Sequence, residues 1–216
     1  MTATAAVAPA AVSTVTSADD GWYRDITSFA QHTAYLHALM TAYTTASFGL
    51  LGLLALYAWW RARRNADRTA MAAVAWTGIG TAVAVAAGLA LKQVFAEARP
   101  CLAMHVATVQ PCPGPTDYSF PSDHTTVAVA LAAGLLLAER GLGLIAAALA
   151  LLEGFSRVYL GQHYPHDVAA GLILSVLILM ACWPLVRRPL IRLLAVLETT
   201  RLRPVLTTGP MAVPEK

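Results

Sequence analysis

Residues 121–138 read Pro121-Ser122-Asp123-His124-Thr125-Thr126 and then run uncharged from Val127 to Ala138, PSDHTTVAVALAAGLLLA. One short segment thus joins a polar helix start to an apolar helix. Ser122 is a good N-cap, and the free backbone N–H groups of a helix start point at any anion in front of them. An imidazole at the position of His124 can hand a proton to a leaving oxygen. The apolar part is short against the roughly 17 to 25 residues that cross a bilayer, so its ends are expected near the lipid headgroups. Asp123 is the odd member, an anion placed where an anion should bind.

Outward from this segment the same apolar character recurs. The chain is 57% hydrophobic and 12% charged, with a mean hydropathy of +0.59, whereas soluble domains carry about 25% charged residues. Apolar segments over roughly 35–60, 69–91, 125–138, 142–160 and 168–186 predict an all-α, polytopic transmembrane helix bundle of about five spans. Arg61, Arg63, Arg64, Arg68, Arg140, Arg187, Arg188, Arg192, Arg201, Arg203 and Lys216 all fall on one side of such a bundle. The positive-inside rule makes that side cytoplasmic, with the N-terminus and the connection 93–123 outside. The net charge of +3 is therefore a topology signal, and no nucleic acid partner is implied.

The flanks carry less information. Residues 1–20 lack a basic n-region and read as a disordered tail rather than a signal peptide. Trp22, Ile26 and Phe29 suggest a short interfacial helix over 21–31. Residues 21–188 form the expected membrane-embedded domain, and 189–216, PLIRLLAVLETTRLR onward, a cytoplasmic amphipathic segment and tail. Cys101 and Cys112 share the outer connection, where a disulfide is possible. Cys182 reads as a small buried apolar residue.

Three polar clusters are left unexplained by the apolar pattern: Lys92 to Pro100, Pro121 to His124, and Ser156 to Asp167. All three sit at the expected outer ends of helices. Lys92 and Arg99 lie seven residues apart, about two turns, so a continuing helix would project both from one face. Snorkelling explains two such cations, but Arg157 makes a third on the side where the charge bias disfavours them. Three gathered cations form an anion pocket suited to phosphate, which Arg forks grip bidentately. His163 and Asp167, four residues apart at a helix start near Pro165, make an oriented imidazole with Nε2 free as nucleophile or base. His124, His163, His166 and Asp167 are also ligand types, but the cations beside them would repel a divalent ion, so no metal and no cofactor is expected.

Lys-x6-Arg-Pro, Pro-Ser-x-His and Ser-Arg-x5-His-x3-Asp, in this order over residues 92–170, resemble the type-2 phosphatidic acid phosphatase superfamily, which also includes vanadium-dependent haloperoxidases. The resemblance implies that His163 attacks phosphorus to form a phosphohistidine, that Asp167 orients it, and that His124 protonates the leaving group and later activates water. It implies that Lys92, Arg99, Ser122 and Arg157 hold the phosphate, without a metal. FPSDHTT and GFSRVYLGQHYPHDV look most like the bacterial undecaprenyl-diphosphate phosphatases, with Asp123 standing where most of the superfamily has Gly. The expectation is hydrolysis of undecaprenyl diphosphate at the outer face of a bacterial cytoplasmic membrane. Its alternatives are a phosphatase of phosphatidic acid, phosphatidylglycerol phosphate or another polyprenyl phosphate, and a lipid transporter or scramblase that would leave the His163–Asp167 pair without a task.

Two acidic residues join the set as supports. Glu153, inside an apolar span where a charge costs about 2.5–3.5 kcal/mol, is expected to pair with Arg157 four residues on. Glu97 is expected to steady a cation. Asp123 either favours the helix dipole, at about 0.3–1 kcal/mol, or orders one of Lys92, Arg99 and Arg157 at the phosphate site.

Overall fold

A computed structural model describes residues 10–104 and 106–209, with the side chains of 10–17 left aside. The described residues are helical without strands: α1 (Ala10–His32), α2 (His37–Arg64), α3 (Arg68–Phe95), α4 (Pro100–Ala103), α5 (Asp123–Ala138), α6 (Arg140–Tyr159), α7 (Pro165–Val176), α8 (Trp183–Leu197) and α9 (Arg203–Leu206). Three stretches are long and apolar enough to cross a membrane: Ala34–Arg64, Arg68–Ala103 and Arg140–Tyr159. A fourth forms if the bent pair Pro165–Ala181 and Trp183–Leu197 counts as one, and α5 is the short apolar helix anticipated from the sequence. The expected helix bundle is thus observed.

α5 lies at the centre, packed between α3 and α6 and against α7. Its buried face is mostly Ala128, Ala130, Ala132, Ala133 and Gly134. Without a hydrophobic drive between helices in lipid, such small residues let backbones approach closely and gain packing. A Cβ on Gly134 would collide with the Thr77 side chain of α3. Leu53, Leu56, Leu89, Leu144, Ile145 and Ile173 are exposed on the outside of the bundle, as a lipid-facing surface requires.

Three expectations change. The tail expected to be disordered over 1–20 is helical from Ala10, while residues 1–9 lie outside the described ones. Composition misses this because the anchor is tertiary: Asp19 accepts the His166 backbone N–H at 3.0 Å, and Tyr23, buried against Tyr164, donates to Gly161 O at 3.1 Å. The last span does not run on to Val186. A π-helical turn over Leu177–Ala181 takes the Trp76 Nε1 donor on Leu179 O at 3.0 Å, and the chain then bends by 52° into α8. Pro184 has no N–H to continue the ladder, which fixes the break there. α8 therefore starts before the amphipathic stretch predicted for it, seats Leu194 on Ala62, Met71 and Ala72, and leaves Arg187, Arg188 and Arg192 exposed. Cys182, at the bend, is partly exposed rather than buried.

Candidate active site

The site end of the bundle is built by capping. Ser122 caps α5, its hydroxyl accepting the Thr125 N–H at 3.4 Å, and its own N–H donates to Asp167 O of α7 at 3.1 Å. Gly171, one turn further along α7, lets the two helices close: a Cβ there would stand 2.9 Å from Ser122 O. Pro165 opens α7, and the Asp167 carboxylate turns back to accept the Tyr164 N–H at 2.8 Å. The α5 and α7 starts thereby hold His124, Ser122 and Asp167 in one corner.

His163 is almost fully buried beside them. Its Nδ1 lies 3.3 Å from Asp167 Oδ2, and its Nε2 lies 3.1 Å from Arg99 Nη1. Guanidinium N–H groups only donate, so Nε2 is the acceptor and Nδ1 carries the proton toward Asp167. Burial pushes the imidazole down, the Asp167 hydrogen bond pulls it back up, and Arg99 and Arg157 press it down again, leaving a pKa of about 4. The ring is neutral at pH 7 with its Nε2 lone pair facing the cations. Ser119 donates to the same Asp167 oxygen, and the other oxygen, Oδ1, has no hydrogen-bond partner among the described residues.

The three sequence-predicted cations converge, each about nineteen-twentieths buried. α3 does not continue to Arg99 as the two-turn spacing assumed: it ends at Phe95, and Ala96 is left-handed (φ 45°). The bend and the N-cap position on α4 bring Arg99 round instead, where it donates to Asp117 O, Asp117 Oδ1 and Gln162 O, each at 2.9 Å. Burial pushes the Asp117 carboxyl up, yet the hydrogen bond and charge of Arg99, with Lys92 and His163 behind it, hold it below the ordinary carboxylate range. Lys92 donates to Tyr118 O at 2.7 Å and pairs with Asp123 Oδ2 at 3.0 Å. Of the cations near it, Asp123 thus pairs with Lys92. Arg157 Nη1 donates to Thr44 Oγ1 at 3.2 Å, and Nε is buried with no partner among the described residues. The His124 ring packs against Phe48 of α2 at a tilt of 51° (5.3 Å between centroids), within electrostatic reach of Arg157, His163, Arg99 and Lys92.

Two supporting roles come out differently. Glu153 makes no direct pair with Arg157; its carboxylate accepts from Thr44 (2.5 Å) and Ser47 (2.9 Å) of α2. Side chains of α6 at that turn face α2, so the i,i+4 neighbours are bridged by a third residue. Glu97 meets neither Lys92 nor Arg99 but His166, at 3.1 Å. Asp19 takes the other ring nitrogen at 2.7 Å, so an imidazolium at His166 is flanked by carboxylates on both sides. Glu97, His166 and Asp167 are the described group whose ligand atoms lie within 4.8 Å of one another; His124 and His163 are not members of it. Sequence reading missed Thr44, Ser47, Asp117 and Ser119. A polar Thr-x-x-Ser in the apolar α2 was the available signal for the first pair; Asp117 and Ser119, in an irregular loop, left none.

The disulfide Cys101–Cys112 forms, tying α4 to the loop that leads to Asp117. Gly161, at φ 81°, makes the turn that delivers Gln162 and His163 from the end of α6. A neutral, oriented imidazole facing buried cations at a helix start, inside a multi-pass membrane bundle, has the chemistry that phosphoryl transfer requires.

Comparison with known proteins agrees. Residues 73–190 match the PAP2 superfamily, more than half of the chain, and the chain belongs to that superfamily: it is a membrane PAP2-type phosphatase. The undecaprenyl-diphosphatase BcrC of Bacillus subtilis (strain 168) is 30% identical over 156 residues, covering 72% of this chain and 78% of the relative. The decaprenylphosphoryl-5-phosphoribose phosphatase of Mycobacterium tuberculosis (strain H37Rv) is 37% identical over 102 residues, 45% and 52% of the two chains. The crystal structure of a transmembrane PAP2 type phosphatidylglycerolphosphate phosphatase from Bacillus subtilis superposes with a TM-score of 0.61 at 21% identity, over 81% of this chain and 87% of that one.

Proposed function

We propose that this protein hydrolyses undecaprenyl diphosphate to undecaprenyl phosphate and inorganic phosphate at the outer face of a bacterial cytoplasmic membrane. His163 Nε2 attacks the terminal phosphorus; the P–O bond to the lipid monophosphate breaks as the N–P bond forms. His124 gives the departing oxygen its proton, then takes one from water as that water displaces His163 and frees phosphate. Asp167 keeps the Nδ1–H tautomer, and Lys92, Arg99, Arg157 and Ser122 at the α5 N-terminus balance the growing charge.

The observation that carries this reading is the neutral His163, oriented by Asp167 with Nε2 turned to the cations. A lipid transporter would need the cations but not that pair. The substrate follows the BcrC relative, which this chain matches over most of its length. The orientation is supported by two features at opposite ends: the arginine-rich end fits the cytoplasm, and a disulfide in the site loop fits an oxidising exterior. The C-terminus is then cytoplasmic.

Purified protein should release phosphate from undecaprenyl diphosphate faster than from phosphatidic acid or phosphatidylglycerol phosphate, and rapid acid-free quenching should trap phosphate on His163. Wild-type turnover in His163→Ala would sink the mechanism. A preference for a lipid monophosphate, as the mycobacterial relative's name suggests for that protein, would change the substrate and keep the chemistry.

A further inference from the structure

The carboxylate of Glu153 is fully buried in a membrane-spanning helix, and both of its oxygens are taken by hydroxyls from α2. Thr44 gives its one proton to Glu153 Oε1 and receives Arg157 Nη1 on the same oxygen. The hydroxyl therefore stands between the guanidinium and the Glu153 carboxyl group, where a direct Arg–Glu contact would otherwise form a bidentate fork. Lys92 and Arg99 differ: each touches a half-exposed carboxylate, Asp123 or Asp117, directly.

We infer that Thr44, Ser47 and Glu153 are positioning residues that fix the Arg157 guanidinium for a tetrahedral phosphate oxyanion. This rests on the phosphatase reading of the same site. Nη1 is anchored to Thr44. The edge formed by Nε and Nη2 is the fork that remains for two phosphate oxygens, and Nε is the buried donor with no partner among the described residues. Glu153 balances the arginine's charge without occupying that edge, because Thr44 keeps it one hydroxyl away. Ser47 holds the second carboxylate oxygen, so Glu153 is kept from turning toward Arg157. An expensive buried carboxylate is thereby given a task at the phosphate.

The test compares Thr44→Val, which keeps the volume and removes the hydroxyl, with Thr44→Ser, which restores it. Undecaprenyl diphosphate turnover, its inhibition by inorganic phosphate, and the thermal shift that inorganic phosphate induces are measured on the full chain in detergent. Thr44→Val should weaken phosphate inhibition and kcat/KM by about 10- to 100-fold, mainly through KM, and lose the phosphate-induced shift; Thr44→Ser should stay within about 3-fold of wild type. Glu153→Gln, which leaves the volume and one acceptor, should weaken phosphate in the same direction and stands in if Thr44→Val does not fold. A lower melting temperature with unchanged phosphate inhibition in these variants would leave only a structural role and overturn the inference. Wild-type protein that hydrolyses no lipid phosphate would overturn the phosphatase mechanism instead, while the phosphate-induced shift would still decide the role of Thr44.

Discussion

The two ends of this bundle use the same residue type in opposite ways. At the site end, Lys92, Arg99 and Arg157 are buried, and each is held by a specific acceptor: Tyr118 O, Asp117 and Gln162 O, and Thr44. At the other end, Arg61 and Arg68 stay about half exposed in pairs with Glu139 and Glu198, and Arg187, Arg188 and Arg201 are exposed. A cation that only sets topology needs water or headgroups around it. A cation that must meet an anion in a low-dielectric site has to be desolvated beforehand and held by acceptors whose bonds can be exchanged for those of the ligand. The difference in burial therefore separates the gathered cations from the exposed ones among side chains that look alike in the sequence.

The comparison can be broken at the site end first. His163→Ala should lower kcat by more than about 10^4-fold, since on the proposed mechanism it removes the attacking atom and leaves only charge stabilisation; phosphate release assays check this. Arg157→Ala should cost about 10^2- to 10^3-fold, the usual loss for one transition-state donor. Its counterpart at the other end, Arg68→Ala, should leave turnover unchanged and shift stability by no more than about 1 kcal/mol, because an exposed pair is screened.

Acid sharpens the same contrast. A buried imidazole with a pKa of about 4 stays neutral at pH 5, so the limb of kcat/KM that belongs to His163 should lie near pH 4. An ordinary histidine titrating near 6.5 would already have lost about 30-fold by pH 5. For stability the sign is the same. The folded state binds fewer protons than the unfolded one below about 6.5, so this contribution to folding is lost as the pH falls from there toward 4. A limb at the ordinary value would place His163 in water and undo the contrast between ends. Gly171→Ala should have a more modest effect, of about 1–3 kcal/mol on stability, by pushing α7 off Ser122 O; a thermal melt measures it.

The polar clusters were legible because a charge in an apolar run is costly and so draws notice. Lys92, Arg99, His124, Arg157, His163 and Asp167 could each be picked out, and the structure gathers them. The route to Arg99 was not legible, since spacing assumes a helix that Ala96 ends. The α1 contact through Asp19 was hidden by a bland composition, and the 52° bend at Cys182 by unbroken hydropathy. Thr44 and Asp117 were missed for a related reason: neither is unusual until its partner is known.

The sequence by itself determined the membrane setting, the helix bundle and the identity of the chemical groups, because local composition and short spacing govern insertion, helix formation and motif content. Only the tertiary structure decided which partner each group has. Asp123 belongs to Lys92, Glu97 to His166, and Glu153 to Arg157 only through Thr44. Those pairings depend on how α2, α3, α5, α6 and α7 pack, and a hydrogen bond forms over a few tenths of an ångström that no spacing along the chain specifies.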